Sequence, residues 1–222
     1  MENSRQSSLK QPLKIDIVSD VVCPWCAIGY HQLATALEKS GVAYEIQWHP
    51  FELNPHTPLE GRNLYEHSMG KYGSSKQKSD ASRARMTQAG SEVGFEFNFH
   101  EDTRTYNTFS VHQLLHWADQ QGHMHDLKLA LFTAQFTDSR NVSDNDVLAD
   151  IAADIGLDRS EALAVLGNQR FAKDVREAIQ HSREQGIQSV PAVIFNEQHL
   201  VSGAQGVENY ISIIKQLSEI PD

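Results

Sequence analysis

The sequence predicts an α/β protein in which a small mixed sheet is interrupted by a long helical insertion, and three observations lead there. A strand pattern at Leu13–Ser19 passes into a helical pattern from Pro24 and back to a strand pattern from Val42. The next hundred residues show helical periodicity and no convincing strand. Strand patterns return only at Ala192–Phe195 and His199–Ser202, before a closing helix. A βαβ half, residues 1–60, and a ββα half, residues 169–222, would then form one discontinuous domain, with 61–168 as a helical insertion over its sheet.

Each element has its own warrant. Leu13, Ile15 and Ile17 alternate with Lys14 and Asp16, as a strand with one polar face or an exposed edge requires. From Pro24 to Ser40 the apolar residues Ile28, Leu33, Ala34 and Leu37 recur at helical spacing, and Gly41 supplies the stop. Val42 to His49 alternates again, and a right-handed crossover makes this strand parallel to the first. Asn54-Pro55 and Thr57-Pro58 mark a boundary loop. Asn107 or Thr108 can cap a helix carrying Val111, Leu114, Leu115 and Ala118; Ser143 can cap another carrying Val147, Leu148, Ile151 and Ala152. A third run, Phe171, Val175, Ala178 and Ile179, stops at Gly186. After the turn at Asn196-Glu197 and its second strand, the closing helix spans about Val207 to Leu217.

Composition narrows the function. Of 222 residues, 40% are hydrophobic and 22% charged, the balance of a globular chain that can bury a core. A net charge of -10 excludes nucleic acid as the main partner, since phosphate binding needs a basic face. No stretch approaches the roughly 18 apolar residues of a membrane span, and Met1–Lys14 is polar with no signal-like core, so the expectation is a cytoplasmic protein with no membrane role.

The chemistry is concentrated in Cys23-Pro24-Trp25-Cys26, which holds both cysteines of the chain. In a reducing compartment such a pair is catalytic or metal-binding more often than structural. Disulfide exchange needs an attacking thiolate and a second thiol that resolves the mixed disulfide. Cys23 falls where strand becomes helix, so unpaired N–H groups and the helix dipole should favour its thiolate. Lowering a thiol from about 8.5 to about 7 takes roughly 2 kcal/mol, within reach of such a helix end plus one hydrogen bond. Pro24 suits the first helical turn, and Cys26 lies just under one turn on, as the more buried, resolving thiol. The competing reading is half of a zinc site, whose remaining ligands would have to be histidine or carboxylate. Redox chemistry is the expectation, with no metal and no cofactor.

Downstream, Val190-Pro191 stands between a helix and a strand, where a cis peptide can hold the chain open beside the cysteines. Pro191 therefore joins Cys23 and Cys26 as a catalytic candidate, with Pro24, Trp25 and Val190 as substrate-binding candidates. An extended backbone at Val190 could pair with a substrate strand. The proton acceptor for Cys26 is unassigned among Asp20, His49 and Glu52, each read as an exposed or capping group. His112 and His116, at i, i+4 spacing, with His123 and His125 nearby, read as solvated histidines, and Lys71–Arg85 reads as a solvated helix face.

Together these residues resemble the DsbA branch of the thioredoxin superfamily. Trp48-His49-Pro50-Phe51-Glu52-Leu53-Asn54-Pro55, Asn107-Thr108 and Ser202-Gly203-Ala204-Gln205 make the chain similar to the FrnE-like cytoplasmic group. The resemblance implies a thioredoxin-like fold with an inserted helical domain. It also implies dithiol–disulfide exchange through Cys23 and Cys26, with Pro191 beside them. Partners would be protein or small thiol and disulfide substrates, glutathione among them. Two departures stand out: Trp25 occupies the place of a histidine in secreted relatives, and Ile17 the place of a buried acid in thioredoxins. The alternative on the same fold is a glutathione-dependent isomerase or transferase of the 2-hydroxychromene-2-carboxylate isomerase or kappa glutathione transferase type. Those relatives start the helix with serine.

Overall fold

The computed structural model describes residues 11–219. The polar N-terminal residues behind the cytoplasmic expectation lie almost wholly outside that range. A four-stranded sheet forms in the order β2-β1-β5-β6, from β1 (Leu13–Ser19), β2 (Tyr44–Pro50), β5 (Ala192–Phe195) and β6 (His199–Ser202). β1 pairs with β2 in parallel, from Leu13 opposite Tyr44 to Ser19 opposite Pro50, and with β5 antiparallel, from Ile15 opposite Phe195 to Val18 opposite Ala192. β1, like β5, is thus an inner strand of the sheet. Its alternation holds at the exposed end, but Ile17 to Asp20 are all buried, because the end of the strand that leads to the cysteines is covered on both faces.

Helix α1 (Pro24–Ser40) follows the turn after β1 and packs against the closing helix α9 (Val207–Glu219). Pro24 takes its first position, and Gly41, at φ 63°, ends it by sending its N–H to the carbonyls of Leu37 and Glu38. Asn196 and Glu197, both at positive φ, make the tight turn between β5 and β6. Gly203, at φ 80°, sends its N–H 2.8 Å to the Pro191 carbonyl and so ties the end of β6 to the start of β5.

Between β2 and β5 the chain is mainly helical: α2 (Leu64–Tyr72), α3 (Lys76–Ser91), α4 (Phe109–Asp119), α5 (Met124–Phe136), α6 (Asn145–Asp154), α7 (Arg159–Gly167) and α8 (Ala172–Glu184). α5 and α8 lie against β2. The expectation of no strand here is corrected by a two-stranded antiparallel pair, β3 (Arg62–Asn63) with β4 (Arg104–Thr105), each too short to show a period in sequence. The Ser143 cap is corrected as well. Asp144 caps α6 through the N–H groups of Asp146 and Val147, while the Ser143 hydroxyl donates to the Leu59 carbonyl. At α4, Thr108 occupies the cap position without a side-chain bond, and Asn107 Oδ1 takes the Phe109 N–H. Among the described residues, no helix is long and apolar enough to cross a membrane.

Candidate active site

The turn after β1 sets the cysteines. Cys23 N–H donates to the Asp20 carbonyl at 3.2 Å, closing the turn, and Cys26 N–H donates to the Cys23 carbonyl at 3.0 Å, opening α1. Cys23 is the helix cap residue and carries no side-chain cap bond, so its sulfur stands at the helix N-terminus with its backbone extended. Both thiols are free and buried, Cys23 at 4% exposure and Cys26 at 1%. Trp25 between them is 40% exposed, and Pro24 is half-buried.

The downstream loop meets the pair as expected. Val190-Pro191 is cis, and the Cys23 thiol donates weakly to the Val190 carbonyl at 3.7 Å. Pro191 is buried against α1: a Cβ placed on Gly29 would come within 3.2 Å of Pro191 Cγ and 3.5 Å of Ala204 Cβ. The glycine lets the helix, the proline loop and the 203–204 turn approach so closely. Cys23, Cys26, Pro24, Trp25, Val190 and Pro191 therefore come together at one place.

Behind the sulfurs lies a group of buried charges drawn from separate elements. Asp20 is fully buried, so its reading as an exposed or capping group is corrected. Its Oδ2 accepts the Leu53 N–H at 2.7 Å, and its Oδ1 lies 3.7 Å from His112 Nε2. Burial pushes the Asp20 carboxyl up, but His112, the Leu53 N–H and Lys128 outweigh it and hold Asp20 below its ordinary range. His112 is corrected too: far from solvated, it is 2% exposed, with Nε2 2.9 Å from the Phe51 carbonyl. The carbonyl can only accept, so the proton is on Nε2.

Lys128, on α5, is 1% exposed, its ammonium 5.2 Å from the ring centroids of both Trp48 and Phe132. Burial lowers it to about 8, against the opposing pull of Cys26, Asp20 and Cys23. Sequence reasoning missed this residue, although the signal was there. Met124, Lys128, Leu131 and Phe132 share one helical stripe, and Lys128 is the charged residue in it.

The thiols titrate as a unit. Burial works against the ionisation of Cys26, yet the bond with the Cys23 thiol, the Asp20 backbone, the Ser19 hydroxyl and Lys128 together bring it below its ordinary value. The bond with Cys26 and then burial push Cys23 well up. The first ionisation therefore belongs to the pair and is shared across the bond between the two sulfurs, Cys26 contributing the neighbours that favour a thiolate and Cys23 the position at the helix end.

The other candidates lie outside this cluster, Glu52 near enough for His112 and Asp20 to act on its carboxyl. His49 Nε2 lies 2.7 Å from Asp16 Oδ1, and Glu52 is half-buried, its carboxyl raised by burial. His116 packs on the Phe171 ring at 4.8 Å, half-buried. His125 accepts the Trp48 indole N–H at Nδ1, 3.2 Å, and meets the Tyr30 hydroxyl at Nε2, 3.0 Å. Among the described residues, no group of three or more histidine, cysteine, aspartate or glutamate side chains is placed to hold a metal. Lys71 is tied to the Leu53 carbonyl and Asn54 Oδ1, and it borders a groove of about 570 Å³ with His56, Arg62 and His67.

Known proteins resemble this chain to different depths. The probable DsbA oxidoreductase of Streptomyces coelicolor superposes with a TM-score of 0.87 at 28% identity, over 95% of this chain and 92% of that one. The uncharacterized protein YwbO of Bacillus subtilis (strain 168) is 26% identical over 193 residues, 86% of this chain and 90% of its own. The cytosolic disulfide reductase DsbM of Pseudomonas aeruginosa, solved with GSH, has a TM-score of 0.63 over 93% of this chain and 100% of that one; at 14% identity it shares the fold. A family profile described as the DSBA-like thioredoxin domain matches residues 14–215, nearly the whole described chain, which therefore belongs to the DSBA-like thioredoxin domain family.

Proposed function

We propose that this protein is a dithiol–disulfide oxidoreductase in which Cys23 attacks and Cys26 resolves. The observation that carries the reading is the position of the sulfurs. Cys23 is the helix cap beside the Val190 carbonyl, and Cys26 is buried one turn deeper against groups that favour its thiolate. Cys23 thiolate attacks a substrate disulfide, a mixed disulfide forms, and the first substrate thiolate leaves and takes up a proton. Cys26 thiolate then attacks the Cys23 sulfur. The Cys23–Cys26 bond forms, the second substrate thiolate leaves, and two electrons have passed from the pair to the substrate. Run backwards, the same steps oxidise a dithiol, and direction is set by potential against the surrounding pool.

Pro24, Trp25 and Val190 bind the substrate in this reading, the half-exposed indole offering an apolar contact and the Val190 backbone a strand-like one. Pro191 shapes that loop, and the segment 61–168 acts as a helical domain inserted into the thioredoxin-like one. The setting is the cytoplasm, as for the FrnE-like group. Partners are protein or small disulfides and thiols, and the groove beside Leu53, where Arg62 and Lys71 stand with Glu66, offers both cations and a carboxylate to the charged ends of glutathione. A glutathione-dependent isomerase would have no use for the second, buried thiol at Cys26.

The test is trapping. Cys26→Ala should accumulate mixed disulfides through Cys23, visible on diagonal gels of cell extracts and absent when Cys23 is also replaced. Full turnover by Cys26→Ala in a disulfide-exchange assay without added thiol would remove Cys26 from the mechanism.

A further inference from the structure

His125, in the first turn of α5, makes a contact that the exchange chemistry does not use. Its imidazole lies half-buried between side chains from two other elements. Nδ1 takes the Trp48 indole N–H at 3.2 Å, and Nε2 meets the Tyr30 hydroxyl at 3.0 Å. Trp48, on β2, is 3% exposed, and Tyr30, on α1 about one turn beyond Cys26, is 8% exposed. One ring thus ties the start of α5 both to the sheet and to the helix that begins at the cysteines.

The bonds fix the charge of that ring. An indole N–H can only donate, so Nδ1 must be bare while the bond stands. The neutral ring then carries its proton on Nε2 and donates it to the Tyr30 oxygen. Protonation puts a second N–H at Nδ1, donor facing donor across 3.2 Å, and the buried indole loses its acceptor.

We propose that His125 is a pH-sensitive staple between the helical segment and the sheet with its cysteine helix. Neutral, it holds Trp48 and Tyr30; protonated, it lets Trp48 go and frees the start of α5. The inference stands on these bonds and not on the disulfide-exchange reading. Burial lowers His125 from its ordinary 6.5, against the opposing pull of the Asp126 carboxylate. A released ring returns to the ordinary value, so between the two values the released state binds more protons and acid favours release. The staple is complete above 6.5 and is lost as pH falls through the stapled value.

The groups around the ring come from three elements. On α1, Tyr30 is raised to about 12 by burial and keeps its proton throughout, and His31 packs edge-on against it at 5.2 Å. On β2, Tyr44 acts on Tyr30. On α5, Lys128 lies 5.2 Å from the Trp48 ring centroid and, lowered to about 8, stays charged below neutral pH, while Asp126 lies 3.7 Å from His123. Among these, His125 is the group whose charge the indole bond forbids.

NMR on the reduced protein between pH 8 and 5 tests the staple, with the His31, His123 and His125 rings resolved separately. The His125 ring and the Trp48 indole N–H should titrate together, with a midpoint below 6.5. Amide protection in the first bonded turn of α5, Leu127–Ala130, corrected for the intrinsic exchange rate, should fall up to about tenfold from about pH 7.5 to about pH 5.5. His125→Asn offers the indole an acceptor that does not titrate, so its protection should stay level over the same range. A fall that persists in His125→Asn, a Trp48 signal that ignores the His125 titration, or a His125 midpoint at or above 6.5 would overturn the proposal. Should His125→Asn fail to fold, the two wild-type titrations decide by themselves. No exchange assay enters the test, so a protein without exchange activity that still titrates in this way would refute the proposed function and leave the staple standing.

Discussion

An ammonium at 1% exposure has given up its water, and Lys128 must show this as a dependence of stability on pH. The unfolded chain holds the Lys128 proton up to its ordinary 10.5, whereas the folded protein releases it near 8. Between those values the unfolded state binds more protons, so raising the pH favours the fold. A difference of this size corresponds to about 3 kcal/mol. Denaturant titrations should therefore show wild type gaining about 3 kcal/mol on Lys128→Met between pH 8 and 10.5. A gap that stays flat across the window would mean that Lys128 is not held low by the fold. Asp20 has the opposite sign: its folded value is depressed, so its contribution is complete above its ordinary 3.8 and is lost as pH falls through the folded value. The redox pair was legible from sequence because its chemistry is local, two thiols three residues apart at a strand-to-helix junction. The charges behind it were not, because Asp20, His112 and Lys128 come from the turn after β1, from α4 and from α5, and only packing brings them to one place.

At the scale of elements, the contact between α1 and the Val190-Pro191 loop is the one on which the site's geometry depends. Gly29 is the reason they can meet, since a Cβ there would stand 3.2 Å from Pro191 Cγ and 3.5 Å from Ala204 Cβ. A proline ring cannot rotate away, so a branched side chain must push the loop off the helix. Gly29→Val should cost about 1–3 kcal/mol through overpacking and should slow disulfide exchange by carrying the Val190 carbonyl away from Cys23. Gly29→Ala should be milder, because about 1 kcal/mol of helix propensity offsets part of the crowding. A valine variant with wild-type denaturation and turnover would show that the loop is free to yield. Elements with clean periods, β1, α1, β5 and β6, could be read to within a residue or two. β3 and β4 could not, being two residues each, and the α6 cap was misplaced by one because Ser143 and Asp144 are both good cap residues. What decides between them is which oxygen reaches the free N–H groups, and that is Asp144.

Across the whole molecule, the sheet and the helical segment share one set of buried charges. The loop after β2 gives Asp20 its Leu53 N–H, α4 brings His112, and α5 brings Lys128. Removing the carboxylate should then reach the helix that carries the lysine, because a buried ammonium without its counter-charge favours opening. In Asp20→Asn, amide hydrogen exchange at pH 7 in α5, around Leu127–Phe132, should run faster than in wild type. α7 makes a suitable control, since it packs on α6 and α4 and carries none of these buried charges. Equal protection of α5 in the two proteins would mean that the sheet and the helical segment are held together without these charges, whereas an α5 that loosens while α7 does not would tie its docking to the carboxylate at the end of the sheet.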